Sequence, residues 1–325
     1  MLCVRRRLSL VLCVVINNGN LEMFDRPNPK SGPTGVVVTV HSFGLNAADL
    51  MQRKGLYPAP AGWPADVPGM ELAGVVTSVG PDVPEPLLGR RVCALVGGGA
   101  QATQCAVPWE HLIFIPDHVT WEQAGGFAEA FTTAFDALVL QAQMKPGERV
   151  LISGAAGGVG TAAVQIAHAM GAHAVTVTRT KEHHEKLRQL GASETVLSDD
   201  LDTIEPVDVV LELVGAANLT KAQFVLAPFA RVVVIGVGSG AKAELDLLNI
   251  MQKRATITGS TMRSRSRAEK AAVIAQVNES LVPLWNEGRL RVPSAGRFNF
   301  EDINRAYNFF AQPGKFGKVI VSIRE

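Results

Sequence analysis

The most constraining feature of the sequence is an apolar run, Arg149 to Ser153, that passes through Gly154-Ala155-Ala156-Gly157-Gly158-Val159-Gly160 into an apolar-periodic stretch ending at Met170 and stopped by Gly171. A short apolar run bounded by glycine reads as a buried strand, and the periodic stretch beyond it as a helix. The turn Lys145-Pro146-Gly147 opens this strand–helix unit, and the chain repeats its texture. Further apolar runs stand at Ala174 to Thr178, Thr195 to Leu197, Val207 to Val214, Ala230 to Ile235 and Ala255 to Gly259, with helical stretches between several of them. Strands alternating with helices predict an α/β fold built on a doubly wound parallel sheet.

The first third reads differently. From Leu12 to about Pro116, short apolar runs at Leu12 to Ile16, Gly35 to Val40, Ala73 to Val79, Arg91 to Leu95 and Ala102 to Val107 are separated by Gly and Pro, the texture of a β-rich domain. Helical pieces fall at Ala47 to Arg53 and from Trp121 onward, the second opened by Thr120 with Gln123 three residues later. A boundary near Thr120 follows, and 325 residues exceed what one core usually organises. The tail returns to a strand, Lys318 to Ile323, that can pair back into the first domain.

Charge and cysteine content narrow the partners. The balance of 31 Lys plus Arg against 30 Asp plus Glu leaves no field to draw nucleic acid or an anionic membrane, so small molecules are the expected partners. Cys3, Cys13, Cys93 and Cys105 form no CxxC pair and no disulfide framework, which fits a reducing, cytoplasmic setting. Arg5-Arg6-Arg7 followed by Leu8 to Ile16 mimics a signal peptide, but no small-x-small site precedes Asn17 and the run is far short of the ~20 residues that span a bilayer. The first eleven residues are read as an extension ahead of a first strand.

The loop Ala155, Ala156, Gly157, Gly158, Val159, Gly160 has the pattern AxGxxG between a strand and a helix, the context a dinucleotide fingerprint needs. Small residues let the backbone approach a pyrophosphate, whose charge meets the amides and positive end of the following helix. An ordinary tight turn is the alternative. The second strand ends in Thr178-Arg179-Thr180-Lys181 with no acid before Glu182, which favours the 2′-phosphate of NADPH over the bare ribose of NADH. Arg suits phosphate through its planar fork; a solvated surface pair is the other reading of Arg179 and Lys181.

These residues carry a specific resemblance. Asn46 to Gly55, Tyr57-Pro58, Pro68-Gly69-Met70-Glu71 and Gly74, Gly97 to Gln101, Glu129 to Phe135 (EAFTTAF), the AAGGVG loop and Arg263-Ser264-Arg265 resemble the zinc-independent quinone oxidoreductases related to zeta-crystallin, most of all the p53-inducible type, within the medium-chain dehydrogenase/reductase superfamily. The resemblance runs from about Leu12 to Val321. It implies a GroES-like substrate domain from residues 1–122 and 263–325, a Rossmann domain from 123–262, and NADPH in the cleft between them. Carried over by position, Asn46 and Tyr57 face the nicotinamide and substrate, and Thr133 lies near the nicotinamide. Ala156 to Val159 lie near the pyrophosphate, Gly236 at the exit of the fifth strand, and Ser260, Thr261 and Met262 at the nicotinamide end. A packing role beside Pro58 remains open for Tyr57, and a turn-forming role for Asn46. The chain departs from the family at Gly89-Arg90-Arg91-Val92, where GDRV is common, and at Arg179, where the family often has Gly.

Zinc members of the superfamily place a Cys where Asn46 stands and a His where Met70 stands, and neither replacement is a usual zinc ligand. The four-cysteine structural lobe is missing too, and the seven histidines read as packing or surface residues. The implied activity is hydride transfer from NADPH to a quinone, which needs no metal to stabilise an alkoxide. Reduction of an enoyl or other activated alkene is the rival chemistry, and a non-catalytic NADPH-binding role the rival class. The family further implies a homodimer or homotetramer through the sheet edge around Ala255 to Gly259.

Overall fold

The computed structural model describes residues 10–84 and 86–323. Its nucleotide-type sheet has the order β10-β9-β8-β11-β12-β13, with every neighbour pair parallel. The strands are β8 (Arg149–Ser153), β9 (His173–Thr178), β10 (Ala192–Leu197), β11 (Val207–Glu212), β12 (Leu226–Val234) and β13 (Thr256–Gly259). Helices α4 (Gly158–Ala169), α5 (His184–Arg188), α6 (Ala216–Ala222) and α7 (Leu247–Lys253) connect them. Val150 and Ile152 point into one core cluster, and Leu151 and Val175 into another on the opposite face. Burial on both faces is why these strands read as unbroken apolar runs. The strand order reverses at β8 and β11, so the crevice beyond their carboxyl ends is where an open α/β sheet takes a ligand.

The other large sheet has the order β14-β15-β3-β4-β5-β7, with β6 also paired to β3. Its members are β3 (Gly35–Leu45), β4 (Glu71–Val79), β5 (Arg91–Leu95), β6 (Gln104–Pro108), β7 (Leu112–Phe114), β14 (Ser294–Asn299) and β15 (Lys318–Ser322). The tail strand does return: β15 lies antiparallel to β3, with Val319 opposite Leu45 and Val321 opposite Phe43. Strand β3 runs five residues beyond the Val40 expected from sequence, because His41 to Leu45 find their partner in that distant tail. Around this sheet stand α1 (Ala47–Arg53), α2 (Trp121–Gly125), α3 (Ala128–Phe135) and α9 (Ile303–Ala311). Thr120 accepts from Gln123 N–H at the start of α2, as its capping pattern predicts.

Two differences from the sequence reading have clear causes. Strand β1 (Leu10–Asn17) already includes Leu10 and buried Val11, so the extension reading fails for those two, while residues 1–9 lie outside the described residues. Its partner β2 (Asn20–Pro27) was not expected, because charged and exposed residues interrupt its pattern. The turn between them, Asn18-Gly19, has φ of 47° and 79°, the conformation of a two-residue hairpin turn.

The helix α8 (Arg267–Asn286) joins the layers: Val273, Ile274, Val277 and Leu281 enter the core shared with α3 and α4, while Asn278 bonds Phe114 N–H and the Leu112 carbonyl on β7. Trp285 stacks on Phe127 with centroids 3.8 Å apart. Strand β13 ends the parallel sheet, and nearby α7 exposes Leu247 and Met251. No described helix is long and apolar enough to cross a membrane.

Candidate active site

The loop between β8 and α4 is shaped by steric demands that its sequence meets. Gly154 has φ +63°, a left-handed conformation that disfavours a side chain. A Cβ on Gly160 would lie 2.6 Å from both Ala155 Cα and the Gly154 carbonyl oxygen, so the helix can pack this closely only on glycine. Ala155 is buried, Ala156, Gly158 and Val159 are half-buried, and Gly157 at the helix start is exposed, without a side-chain cap. An exposed, uncapped start on a twelve-residue helix beside a small-residue loop fits a pyrophosphate.

The neighbouring strand end is held by one carboxylate. Buried Glu212 accepts from Ser153 Oγ at 2.8 Å, Val214 N–H at 2.6 Å, Gly215 N–H at 2.7 Å and Asn218 Nδ2 at 2.7 Å. These bonds turn the chain out of β11 two residues before the Val214 expected from sequence, and tie β8 to β11 at the crevice. Gly236 leaves β12 against the Leu213 carbonyl, which a Cβ would meet at 2.1 Å.

Arg179, Thr180 and Lys181 are all exposed beyond the end of β9. A cleft of about 410 Å³ opens beside them, lined among others by Glu182, Lys186, Lys315 and Phe316. Burial, and then the Arg179 charge, lower the Lys315 pKa, so a cation from the tail faces this end of the sheet. Cations and a hydroxyl thus gather at this end of the sheet.

At the junction of the two sheets lies a buried polar cluster. Asn46, the residue before α1, has its backbone N–H bonded to Asp49 Oδ2 at 2.8 Å, but its side chain turns inward. Its Nδ2 donates to Glu71 Oε1 at 3.1 Å, and its Oδ1 accepts from Lys318 Nζ at 2.5 Å. Lys318 also pairs with Glu71 at 2.5 Å and lies 4.0 Å from Glu129 Oε2. Glu71 Oε2 accepts the backbone N–H of Glu129, and Thr133 Oγ1 donates to Glu129 Oε1 at 3.4 Å. Four elements, α1, β4, α3 and β15, thus deliver one ammonium and three carboxyls to one place.

Burial sets the protonation there. The Glu129 carboxyl is pushed up to about 7, by burial first, opposed by the Lys318 charge and reinforced by Glu71 and Asp49. Asp49 rises to about 6, again mainly by burial, with the Asn46 N–H bond opposing. Cys93 and Cys105 are buried among apolar groups, which raises both thiols, Cys105 to about 12, and leaves them unreactive. Among the described residues no group of His, Cys, Asp and Glu could hold a metal ion.

Lys318 also reaches the loop between β8 and α4. Its Cδ lies 2.5 Å from where a Cβ on Gly158 would stand, and Gly317 N–H bonds the Ala156 carbonyl at 2.8 Å. A side chain at position 158 would therefore have to displace the lysine stem.

Of the residues read from sequence, Asn46 and Thr133 join this one network. Tyr57 stands apart, half-buried in the loop after α1, its hydroxyl 3.4 Å from Thr261 Oγ1. Arg263 holds it from below, donating to the Tyr57 carbonyl at 3.0 Å, the Gly97 carbonyl at 2.9 Å and Gln52 Oε1 at 2.6 Å, with its guanidinium 5.1 Å from the tyrosine ring centre. Ser260 spends its hydroxyl on Asp136, which also takes a two-point bond from Arg265. Met262 is buried in the main core. Sequence reasoning assigned no role to Lys318, Glu71, Glu129, Asp136, Glu212 or Arg263. Glu71, Glu129 and Arg263 sat inside the quoted motifs; Lys318 gave no local signal.

Comparison with known proteins agrees with this geometry. Residues 32–143 match the model of the alcohol dehydrogenase GroES-like domain, and residues 158–279 that of the zinc-binding dehydrogenases. The rat synaptic vesicle membrane protein VAT-1 homolog is 29% identical over 315 residues, covering 90% of this chain and 78% of that protein. The bovine quinone oxidoreductase-like protein 2 is 29% identical over 302 residues, covering 90% and 86%. The crystal structure of CurK enoyl reductase superposes with a TM-score of 0.82 at 26% identity, covering 97% of this chain and 99% of that one. Both sheets, the loop at the switch point and these relatives place the chain in the medium-chain dehydrogenase/reductase superfamily of oxidoreductases.

Proposed function

We propose that the chain is a zinc-independent, NADPH-dependent oxidoreductase that delivers hydride to a quinone. The observation that carries this reading is the use made of Asn46: its amide oxygen takes the Lys318 ammonium and its amide nitrogen donates to Glu71, so the position is committed to an organic cation. Zinc needs three protein ligands with N, S or carboxylate donors, and an amide engaged on both sides is a poor start for such a set, as is the thioether of Met70. Bound NADPH supplies the hydride, and a quinone accepts it without a Lewis acid. The protein's own work is alignment of the acceptor and exclusion of water. Arg179, Thr180 and Lys181, with Lys315 opposite, support the choice of NADPH over NADH.

The test is NADPH oxidation by metal-free protein with an ortho-quinone, with NADH and a 2-enoyl thioester in parallel. Rapid quinone turnover preferring NADPH is the expected result. Equal rates with NADH would remove the phosphate-pocket reading, and turnover that requires added zinc would overturn the metal-free one. The likeness to an enoyl reductase favours a second reading, reduction of an activated alkene, which turnover of the thioester alone would support.

Tyr57 is the group we assign to polarising the acceptor oxygen. With its hydroxyl 3.4 Å from Thr261 and its backbone fixed by Arg263, it offers a donor at the mouth of the site. Tyr57→Phe should lower kcat with quinone by about tenfold, the order of one lost transition-state hydrogen bond, without changing NADPH affinity. Unchanged kcat would end that role.

A further inference from the structure

We propose that Glu129 is the proton source for the reduced acceptor, acting through the Thr133 hydroxyl. The inference rests on the functional reading above. An acceptor that has received hydride carries a developing negative charge on oxygen and must take one proton before it leaves.

Glu129 is placed to supply that proton. It sits on α3 one helical turn before Thr133, whose Oγ1 lies 3.4 Å from its Oε1, and its side chain retains 14% exposure. Thr133 is the residue that the resemblance expects beside the nicotinamide, and on that expectation we take its hydroxyl as the group that meets the acceptor. Hydrogen-bond direction between two oxygens is set by where the proton resides, and apo contacts of this kind tighten in the reacting complex.

The charge count explains why Glu129 can hold a proton. The groups facing it are Lys318 on β15, Glu71 on β4 and Asp49 on α1. Lys318 is already paired with Glu71, which accepts from Asn46 and the Glu129 backbone as well, so the single ammonium is committed elsewhere. A third carboxylate beside it gains less from that charge than burial and the two other carboxyls cost it, which favours the acid form. Its pKa of about 7 leaves the proton both present and transferable at neutral pH.

The step balances. Hydride reduces the quinone to a hydroquinone anion; the Thr133 O–H bond breaks as that oxygen takes the proton; the Glu129 O–H bond breaks to restore the threonine hydroxyl. The glutamate carboxylate is then reprotonated from water, so one NADPH and one proton are consumed for each quinone.

The test has two arms. Infrared titration of the acceptor-free protein should show, beside the Asp49 acid that fades near pH 6, a buried carboxylic-acid band that fades through about 7 and is missing in Glu129→Gln; that second band persisting in the variant overturns the assignment. In turnover, the wild-type rate should fall above neutral pH, whereas Glu129→Gln should be about 100-fold slower and lack that limb. Thr133→Val should lose rate but keep the infrared band, and Thr133→Ser should restore the rate. Wild-type rate and pH limb in Glu129→Gln would sink the proposal. If the wild type reduces no quinone, the acceptor reading fails by itself, because the infrared arm still decides where the proton is held.

Discussion

Lys318→Met should lower the unfolding free energy by about 3–5 kcal/mol, the usual result of removing one partner of a buried ion pair. The methionine matches the stem that packs on Gly158 but leaves fully buried Glu71 without its cation and Asn46 Oδ1 without its donor. Asn46 Nδ2 and the Glu129 N–H remain as neutral donors, which cannot offset a buried carboxylate's desolvation. The pH dependence has a definite sign. Without the ammonium, the folded-state pKa of Glu129, already raised by burial, rises further above its unfolded value near ~4.3. The folded variant then binds more protons than the unfolded chain, so its stability falls as pH rises through the unfolded pKa toward neutrality. Urea midpoints for both proteins at acid and neutral pH check this; an equal midpoint at neutral pH would refute the account.

Gly160→Val should weaken NADPH binding by about 10- to 100-fold, the equivalent of 1–3 kcal/mol of overpacking. Its Cβ would meet Ala155 Cα and the Gly154 carbonyl oxygen at 2.6 Å, and these are backbone atoms that no rotamer change can move. Either the loop or the first turn of α4 must shift, and both belong to the pyrophosphate cradle we propose. Gly259→Ala, at the end of β13 and outside the loop, is the matched control, since its Cβ would lie 3.7 Å from the Val234 carbonyl oxygen and touch nothing else. Fluorescence titration of NADPH separates them; similar affinities in both variants would show that the close helix packing does not shape the site.

The parallel sheet was readable in the sequence because its strands are covered on both faces, which forces apolar runs such as Val150 to Ile152 and Val209 to Leu211. Strand β2 was missed because Glu22, Asp25 and Arg26 lie along it, although Asn18-Gly19 was a turn signal in plain view. The loop from Gly154 to Gly160 was legible because its steric demands are local. Lys318 was not, because a charge at the head of an apolar strand acquires meaning only from Asn46, 272 residues away. Glu129 lay within a noted motif, yet its titration depends on Glu71, Asp49 and Lys318, which only the fold brings together. Asn46 was singled out for the nicotinamide side, while its partners Lys318 and Glu71 were given no role.

The pairing of β15 with β3 has a consequence for how the chain is made. Ribosomes add about 5–20 residues per second, so tens of seconds separate the emergence of β3 from that of the strand that completes its edge. Until then the half from His41 to Leu45 presents unpaired amides and carbonyls, a template for the wrong partner. The parallel sheet between them needs no later segment and can form first. Nascent chains stalled before Gly317 should therefore carry an ordered second half and an aggregation-prone first half, which makes the last strand to appear the one that closes the first sheet.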